Sequence, residues 1–512
     1  MKPIPYIEGT GKLATLYVDG KPFYCRGGEL HNSAASSPEF MSAKVWPSLR
    51  PLHLNTVIAP VYWECLEPEK GVFDYALVDS LLIQAREEGV RLILLWFGLW
   101  KNSASSYIPQ WMKLDREHFW LVVKRDGKLP LHHERPHRIV SPFCQEAVDA
   151  DANAFAHLMS HLKEADEERT VIMVQVENEI GVLGADRDYS EAADAAYAAP
   201  VPETLAEAMG RSGSWEDVFG EDGPQQFMAW HYALAVEQIA KAGKAEYPLP
   251  MYANCWLEQE PWIPGTYPSG GPISRNVPVW RVGAPSVELF APDIYVDDYK
   301  GTVALYGTDQ NPLFIPETRL SVANYLYSVG TYNCMCFSPF GIEDTFDSEK
   351  EQVDFTTMEI LHIDPEAFAK QESVGRELAR AFDYISGMED VIRRAHEENR
   401  IRGFLWTADH TEKRELLELS GMNMHIRYHD PKLAGSGGLV IELSDYEFVV
   451  LGINCSFYFT SRDGTRLETL TKEEGQFVEG VWKRGRIMNG DERYINMFTD
   501  KVGLNYFKYT EE

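Results

Sequence analysis

"VIMVQVENEIG", residues 171–181, runs from uninterrupted apolar residues into Glu177, Asn178 and Glu179 before Gly181 releases the chain. A short apolar run with this ending reads as a strand buried on both faces. Carboxylates at the end of such a strand need partners or a use, because an unpaired charge in an apolar interior is costly. Strands buried on both faces belong to parallel sheets whose crossovers are helices, so the flanking sequence should alternate strand and helix patterns.

It does so through the first two thirds of the chain. Seven further strand-like runs are "FYCRGGELH" (23–31), "TVIAPVYWE" (56–64), "RLILLWFGLW" (91–100), "PMYANCW" (250–256), "VELFAPDIYV" (287–296), "PLFIPET" (312–318) and "YNCMCFSPFG" (332–341). Between them lie amphipathic patterns at 145–165, 224–243 and 75–89. In the last of these, Leu77, Val78, Leu81, Leu82 and Ala85 share one face and Gly89 marks the stop. Eight strand–helix repeats predict an α/β fold of the (β/α)8 TIM barrel type with long loops. A doubly wound open sheet would normally carry a glycine-rich phosphate turn after its first strand, and the sequence has none there.

A helix over roughly 365–399 ends the barrel pattern, and the texture then changes. "GGLVIELSDYEFVVLGINCSFYFT" (437–460) alternates apolar and polar residues between turn residues, as an antiparallel sheet does. We therefore expect a catalytic barrel with its terminal helix over 1–399 and a smaller C-terminal antiparallel, β-sandwich-like domain over 400–512. The Ala-rich, acidic segment 182–223 follows the fourth strand. Loops in that position shape active sites in barrels, although a solvated surface excursion is an equal reading of its charge.

The net charge of −30 opposes binding to phosphate backbones and anionic membranes, so no nucleic-acid or membrane partner is expected. No signal-peptide-length apolar run opens the chain, and no window reaches the roughly 20 apolar residues of a membrane span. A soluble, cytoplasmic protein follows as the expectation, with a homo-oligomer left open. Seven scattered cysteines, without paired ligand spacing, read as buried thiols of a reducing compartment. Residues 133–137, His-Glu-Arg-Pro-His, fit the H-E-x-x-H pattern of zinc peptidases, but that motif works only on a helix. Pro136 would break the helix, and the segment reads as a loop at the mouth of the cleft. No metal or cofactor is expected.

Side chains alternate along a strand, so Glu177 and Glu179 are expected on the barrel interior, Glu177 one layer deeper and paired, Glu179 at the carboxyl end where barrel active sites lie. Asn178 falls on the other parity and reaches the same space only if the strand twists or bulges. A second carboxylate, Glu317 in "NPLFIPETRL", ends the seventh strand. Two glutamates facing each other across a barrel mouth are what a retaining glycosidase uses, one as proton donor and base, the other as nucleophile. The donor has to hold its proton near neutral pH, through burial and its charged partner.

With those strand ends, "VIMVQVENEIG" resembles the acid/base motif of glycoside hydrolase family 35, in the same clan of retaining barrel hydrolases as family 42. The resemblance extends to "YVDGKPFYCRGGELHNS" (17–33) and "LNTVIAPVYWECLEPEKGVFDY" (54–75). It implies Glu179 as acid/base, Glu317 as nucleophile and Asn178 as a donor to the sugar 2-hydroxyl. The family's usual Tyr after the Asn-Glu pair is Ile180 here, and its strand-two Tyr aligns with Pro60.

Around the pair, Tyr295 is placed to hydrogen-bond the nucleophile. Strand ends contribute Glu29 and His31, Trp63 and Glu64, Trp100, Lys101 and Asn102, and Trp256, a set with the stacking and hydrogen-bonding composition of a sugar site. The expectation is a retaining exo-β-glycosidase acting on terminal β-galactosides of oligosaccharides. A β-glucosidase or transglycosylase on the same scaffold, and a non-catalytic carbohydrate-binding protein, are the alternatives.

Overall fold

A computed structural model describes residues 2–346, 370–408, 412–429 and 434–511. Eight parallel strands form one sheet: β1 (Cys25–Arg26), β2 (Thr56–Tyr62), β3 (Arg91–Lys101), β4 (Val171–Asn178), β5 (Met251–Trp256), β6 (Leu289–Ile294), β7 (Phe314–Thr318) and β8 (Cys336–Pro339). Each falls inside one of the eight runs predicted from sequence or extends it by a single residue. The sheet closes where β8 pairs with β1, Cys336 opposite Cys25, and where Glu29 bridges to Ile58 of β2 on one side and Phe340 on the other. A barrel results, as predicted.

The strands are continuous apolar runs because both faces are covered. From Leu92 to Trp100 every residue of β3 is buried. The outer layer includes helices α1 (Ala76–Glu88), α2 (Gln145–Ala165), α3 (Gly223–Glu246), α4 (Val277–Gly283), α5 (Tyr299–Tyr306) and α6 (Val322–Tyr332). Helix α1 buries Val78, Leu81, Leu82 and Ala85, and stops at Gly89, whose left-handed backbone (φ 71°) lets its N–H reach the carbonyls of Ala85 and Arg86.

Helix α7 (Gln371–Glu397) follows β8, and antiparallel strands begin at Ile401; residues 365–369 of the predicted terminal helix lie outside the described residues. A six-stranded and a four-stranded antiparallel sheet pack face to face through Phe404, Val440, Phe448, Val450 and Phe507 on one side and Met424, Ile426 and Phe457 on the other. The six-stranded sheet turns its second face, with Leu439, Ile441, Val449 and Leu451, onto Leu326 and Val329 of α6 and Leu378, Phe382 and Ile385 of α7. At that contact Gly330 and Gly403 let helix and strand touch. A Cβ on Gly330 would lie 2.6 Å from the Cβ of Leu439, and one on Gly403 2.6 Å from the carbonyl of Tyr327.

The 182–223 segment is a packed lobe and not a solvated excursion. It carries three short helices, buries Val201, Leu205 and Trp215, and sets Asp188 against the hydroxyl of Ser141 (2.6 Å). The His-Glu-Arg-Pro-His motif is a two-stranded hairpin, with His133 and Glu134 in its turn at φ 47° and 63°. It lacks the helical geometry that zinc binding by this motif requires. All seven cysteines are free thiols. No helix among the described residues is long and apolar enough to cross a membrane.

Candidate active site

The end of β4 departs from regular strand geometry. Glu177 and Glu179 both have positive φ, 63° and 46°. On the neighbouring strand, pairing passes from Trp96–Val176 to Lys101–Asn178, so residues 97–100 oppose Glu177 alone. Such a bulge re-aims side chains, and here it separates the two glutamates.

Glu177 does not share the interior with Glu179 as alternation predicts. Its carboxyl accepts the backbone N–H groups of Leu99 (3.1 Å) and Trp100 (2.6 Å) and meets Asp151 of α2, which also accepts from Leu99 N and the Trp96 indole. The expected buried, bonded residue is there, but it faces the helix layer. Burial, and then the neighbouring Asp151, hold its carboxyl well above the usual range, so this pair shares a proton. Gly98 allows the approach: a Cβ there would fall 2.4 Å from the Glu177 oxygen.

The same irregularity brings Asn178 inward. Its Oδ1 accepts from the ammonium of Lys101 (2.9 Å), while its buried Nδ2 has no protein partner and remains free to donate. Lys101 is itself buried and acts electrostatically on Glu29 and Glu179.

Glu179 is 7% exposed, and its backbone N–H donates to Asn254 Oδ1 of β5 (3.0 Å). Asn254 Nδ2 donates to Asp293 of β6 (2.6 Å), and Asp293 is the strand partner of Glu317 on β7. The carboxyl ends of four consecutive strands are thereby joined. Burial pushes the Glu179 carboxyl up to about 7; the charge of Glu317 adds to this, and Lys101 and a hydrogen bond with Asp293 oppose it. Glu317, 6% exposed, accepts the phenol of Tyr295 at 2.7 Å, and its second oxygen has no protein partner. Glu29, almost fully buried at the barrel closure, is held well above the carboxylate range by burial and then by Glu317.

Other predicted residues distribute unevenly. His31 donates its backbone N–H to Glu343 and pairs through Nε2 with Asp344 (2.9 Å), lining with them, Ser33 and Phe40 a cavity of about 520 Å³. Burial draws the His31 pKa down, but the bond to Asp344 and the charges of Glu343, Asp344 and Glu317 leave it raised. Trp256 is half-buried at the end of β5, edge-on to His132 of the hairpin (6.3 Å), so the hairpin does border the mouth.

Two predicted platforms are corrected. Trp63 and Trp100 are fully buried: Trp63 opens a helical turn and donates its indole N–H to Glu67 (2.8 Å), and Trp100 donates to the Val140 carbonyl (2.9 Å) against Tyr232. Neither ring can stack on a ligand. Glu64 is exposed and paired with Lys113 (2.8 Å), and Asn102 is an exposed loop residue at φ 49°; neither joins the carboxylate cluster. Sequence reasoning missed Asn254 and Asp293. Each is a buried polar residue inside an apolar strand, and that was the available signal.

Residues 38–229 match the family model described as "Beta-galactosidase", glycoside hydrolase family 42. The match includes Glu179 and ends before Glu317, and it falls on the clan partner of family 35, not on family 35 itself. Residues 378–499 match a model described as a domain of unknown function, which begins inside α7. A β-galactosidase of Xanthomonas manihotis is 27% identical over 183 residues, which are 35% of this chain and 27% of that one. The chain thus aligns with about a quarter of that relative's length. Among solved structures, a β-galactosidase from Rahnella sp. R3 is similar over 73% of this chain and 57% of its own, at 16% identity and a TM-score of 0.47. A β-galactosidase from Bacillus circulans sp. alkalophilus covers 69% and 56%, at 13% identity and a TM-score of 0.46.

Proposed function

We propose that this protein is a retaining, exo-acting β-glycosidase that hydrolyses terminal β-galactosides of oligosaccharides. One observation carries the reading. Two equally buried glutamates meet at the carboxyl ends of β4 and β7 with different partners: Glu179 holds its proton up to about pH 7, and Glu317 receives a hydrogen bond from Tyr295. An acid and a nucleophile need that contrast.

In the first step the Glu317 carboxylate attacks the anomeric carbon while Glu179 gives its proton to the departing glycosidic oxygen, leaving a glycosyl ester on Glu317. In the second, Glu179 takes a proton from water as the water oxygen attacks the same carbon, and the ester breaks to regenerate Glu317. Asn178, with its free Nδ2, is suited to donate to the 2-hydroxyl, and Lys101 fixes the orientation of its amide. Trp256, at the rim, is suited to stack on a sugar face. The match of residues 38–229 to the β-galactosidase family favours galactose as the sugar removed.

The test is a panel of aryl β-glycosides at equal concentration, with galactoside, glucoside, fucoside and arabinoside compared. We expect galactoside turnover, a first product of unchanged anomeric configuration by NMR, and loss of activity in a folded Glu317→Gln variant. Inverted product, or wild-type rates in that variant, refutes the mechanism. Turnover of glucoside alone refutes the sugar assignment.

A further inference from the structure

The Glu179–Glu317 pair has a third carboxyl beside it. Asp293 lies between Trp256 of β5 and Glu317 of β7 in the strand register and is 3% exposed. Its Oδ2 is occupied by the amide of Asn254 at 2.6 Å, and its Oδ1 is buried without a donor. Asn254 in turn accepts the backbone N–H of Glu179, so one amide fixes both acidic residues. Glu29 just beyond β1, Glu179 just beyond β4, Tyr252 and Cys255 on β5, Tyr306 at the end of α5 and Glu317 on β7 face Asp293, as does Tyr295 of its own segment. Lys101 on β3 is the buried cation acting on this cluster, shared among Glu29, Glu179 and Asn178, and His31 interacts with Glu317 from the neighbouring cavity.

Four carboxyl groups around one ammonium, shielded from water, cannot all ionise. Glu317 has to be charged to attack, and Glu179 has to gain and lose one proton in each turnover. The remaining protons belong on the groups that do neither. Burial, followed by Glu317 and Glu179, holds Asp293 well above the usual carboxylate range, in agreement with the geometry.

We propose that Asp293 is a positioning residue for the acid/base glutamate: it stays neutral at working pH, carries its proton on Oδ1 and donates it to one oxygen of the Glu179 carboxyl, in an orientation set by Asn254. The second Glu179 oxygen then carries the proton that moves to and from substrate. The bond stabilises Glu179 in its charged form, after it has protonated the leaving group and while it waits to activate water. This role rests on the glycosidase reading.

A neutral donor and a charged neighbour make opposite predictions for the isosteric amide. In Asp293→Asn the amide nitrogen replaces the donor and the amide oxygen still accepts from Asn254. We expect the basic limb of the kcat/KM–pH profile to stay where it is in the wild type. In Asp293→Ala the donor is lost, and the limb should move up by about one pH unit. A downward move in Asp293→Asn shows that Asp293 was charged and repelling Glu179. An unmoved limb in Asp293→Ala shows that the hydrogen bond is not made, and either result overturns the proposal.

Infrared spectroscopy tests the proton without turnover. The wild-type-minus-Asp293→Asn difference spectrum at neutral pH should contain the carbonyl band of one protonated carboxyl, the contributions of Glu29 and Glu177 cancelling. A carboxylate band in its place refutes the proposal even if no glycoside is hydrolysed. A protonated band with no turnover of any panel substrate rejects the glycosidase reading instead.

Discussion

A glutamate held as an acid should make the folded protein less stable than it needs to be, and Glu179→Gln measures by how much. The Glu179 carboxyl sits at about 7 against 4.5 for an unperturbed glutamate. That difference corresponds to about 3 kcal/mol between its charged and neutral forms. Below pH 4.5 the group is protonated in both folded and unfolded chains and has no effect. Between 4.5 and 7 the unfolded chain releases the proton and the folded one keeps it, so stability falls as pH rises. Above 7 the whole penalty is present, because the folded protein then holds a charged carboxylate beside Glu317. Glutamine keeps the shape without the charge. The Glu179→Gln variant should match the wild type near pH 4.5 and exceed it at pH 8 by about 3 kcal/mol, or about 3 °C in Tm for a chain of this length. Calorimetric or fluorescence melts of both proteins across that range are the assay. A difference in Tm that does not change with pH, or that grows toward acid, would refute the assignment of a raised, buried acid at this position. The same variant should lose activity on substrates with poor leaving groups while retaining more on activated aryl glycosides, whose departure needs little protonation.

Other consequences follow from the contacts around the pair. Tyr295→Phe removes the phenol that donates to Glu317 at 2.7 Å; a hydrogen bond to a charged group contributes ~1.5–3 kcal/mol, so kcat/KM should fall about 10- to 100-fold, and the melting temperature near neutral pH should fall by about 1–3 °C because a buried carboxylate loses its donor. Glu177→Gln sets an amide NH2 against one of the two N–H donors of Leu99 and Trp100, and thermal melts should show a loss of about 1–3 kcal/mol without direct removal of a reacting group. Gly330→Val drives a side chain into Leu439 and the backbone of Gly403; denaturant melts should show a loss of about 1–3 kcal/mol or more, and limited proteolysis should show the C-terminal sheets released from α6.

The barrel was legible because its strands are buried on both faces, which forces continuous apolar runs, and because the crossovers switch to a helical period. Closure at Glu29 was not legible, since a lone bridging residue has no periodicity. The two glutamates at the strand ends of β4 and β7 stood out for the same reason that the strands did: a carboxylate is conspicuous against Val, Ile and Phe. Alternation then failed beside one of them, because it presumes extended dihedrals at every step. At Glu177, φ of 63° sends the side chain to Asp151 and the helix layer, and nothing in "QVENE" announces a left-handed residue that is not glycine. Trp63 was misjudged where the period changes from two to 3.6, and Trp100 where residues 97–100 loop out of register.

Asp293 is the opposite case, legible and overlooked. In "LFAPDIYV" it shares parity with Tyr295, so the reasoning that placed the tyrosine beside the nucleophile also put the aspartate two residues deeper on the same face. A buried carboxyl at that depth, accepting the side-chain amide of Asn254 from β5, is costly unless it is neutral or used. A polar residue inside an apolar strand, beside the strand ends that carry the two glutamates, is therefore a signal in its own right, and in this barrel it leads from Glu179 to Asn254 and Asp293.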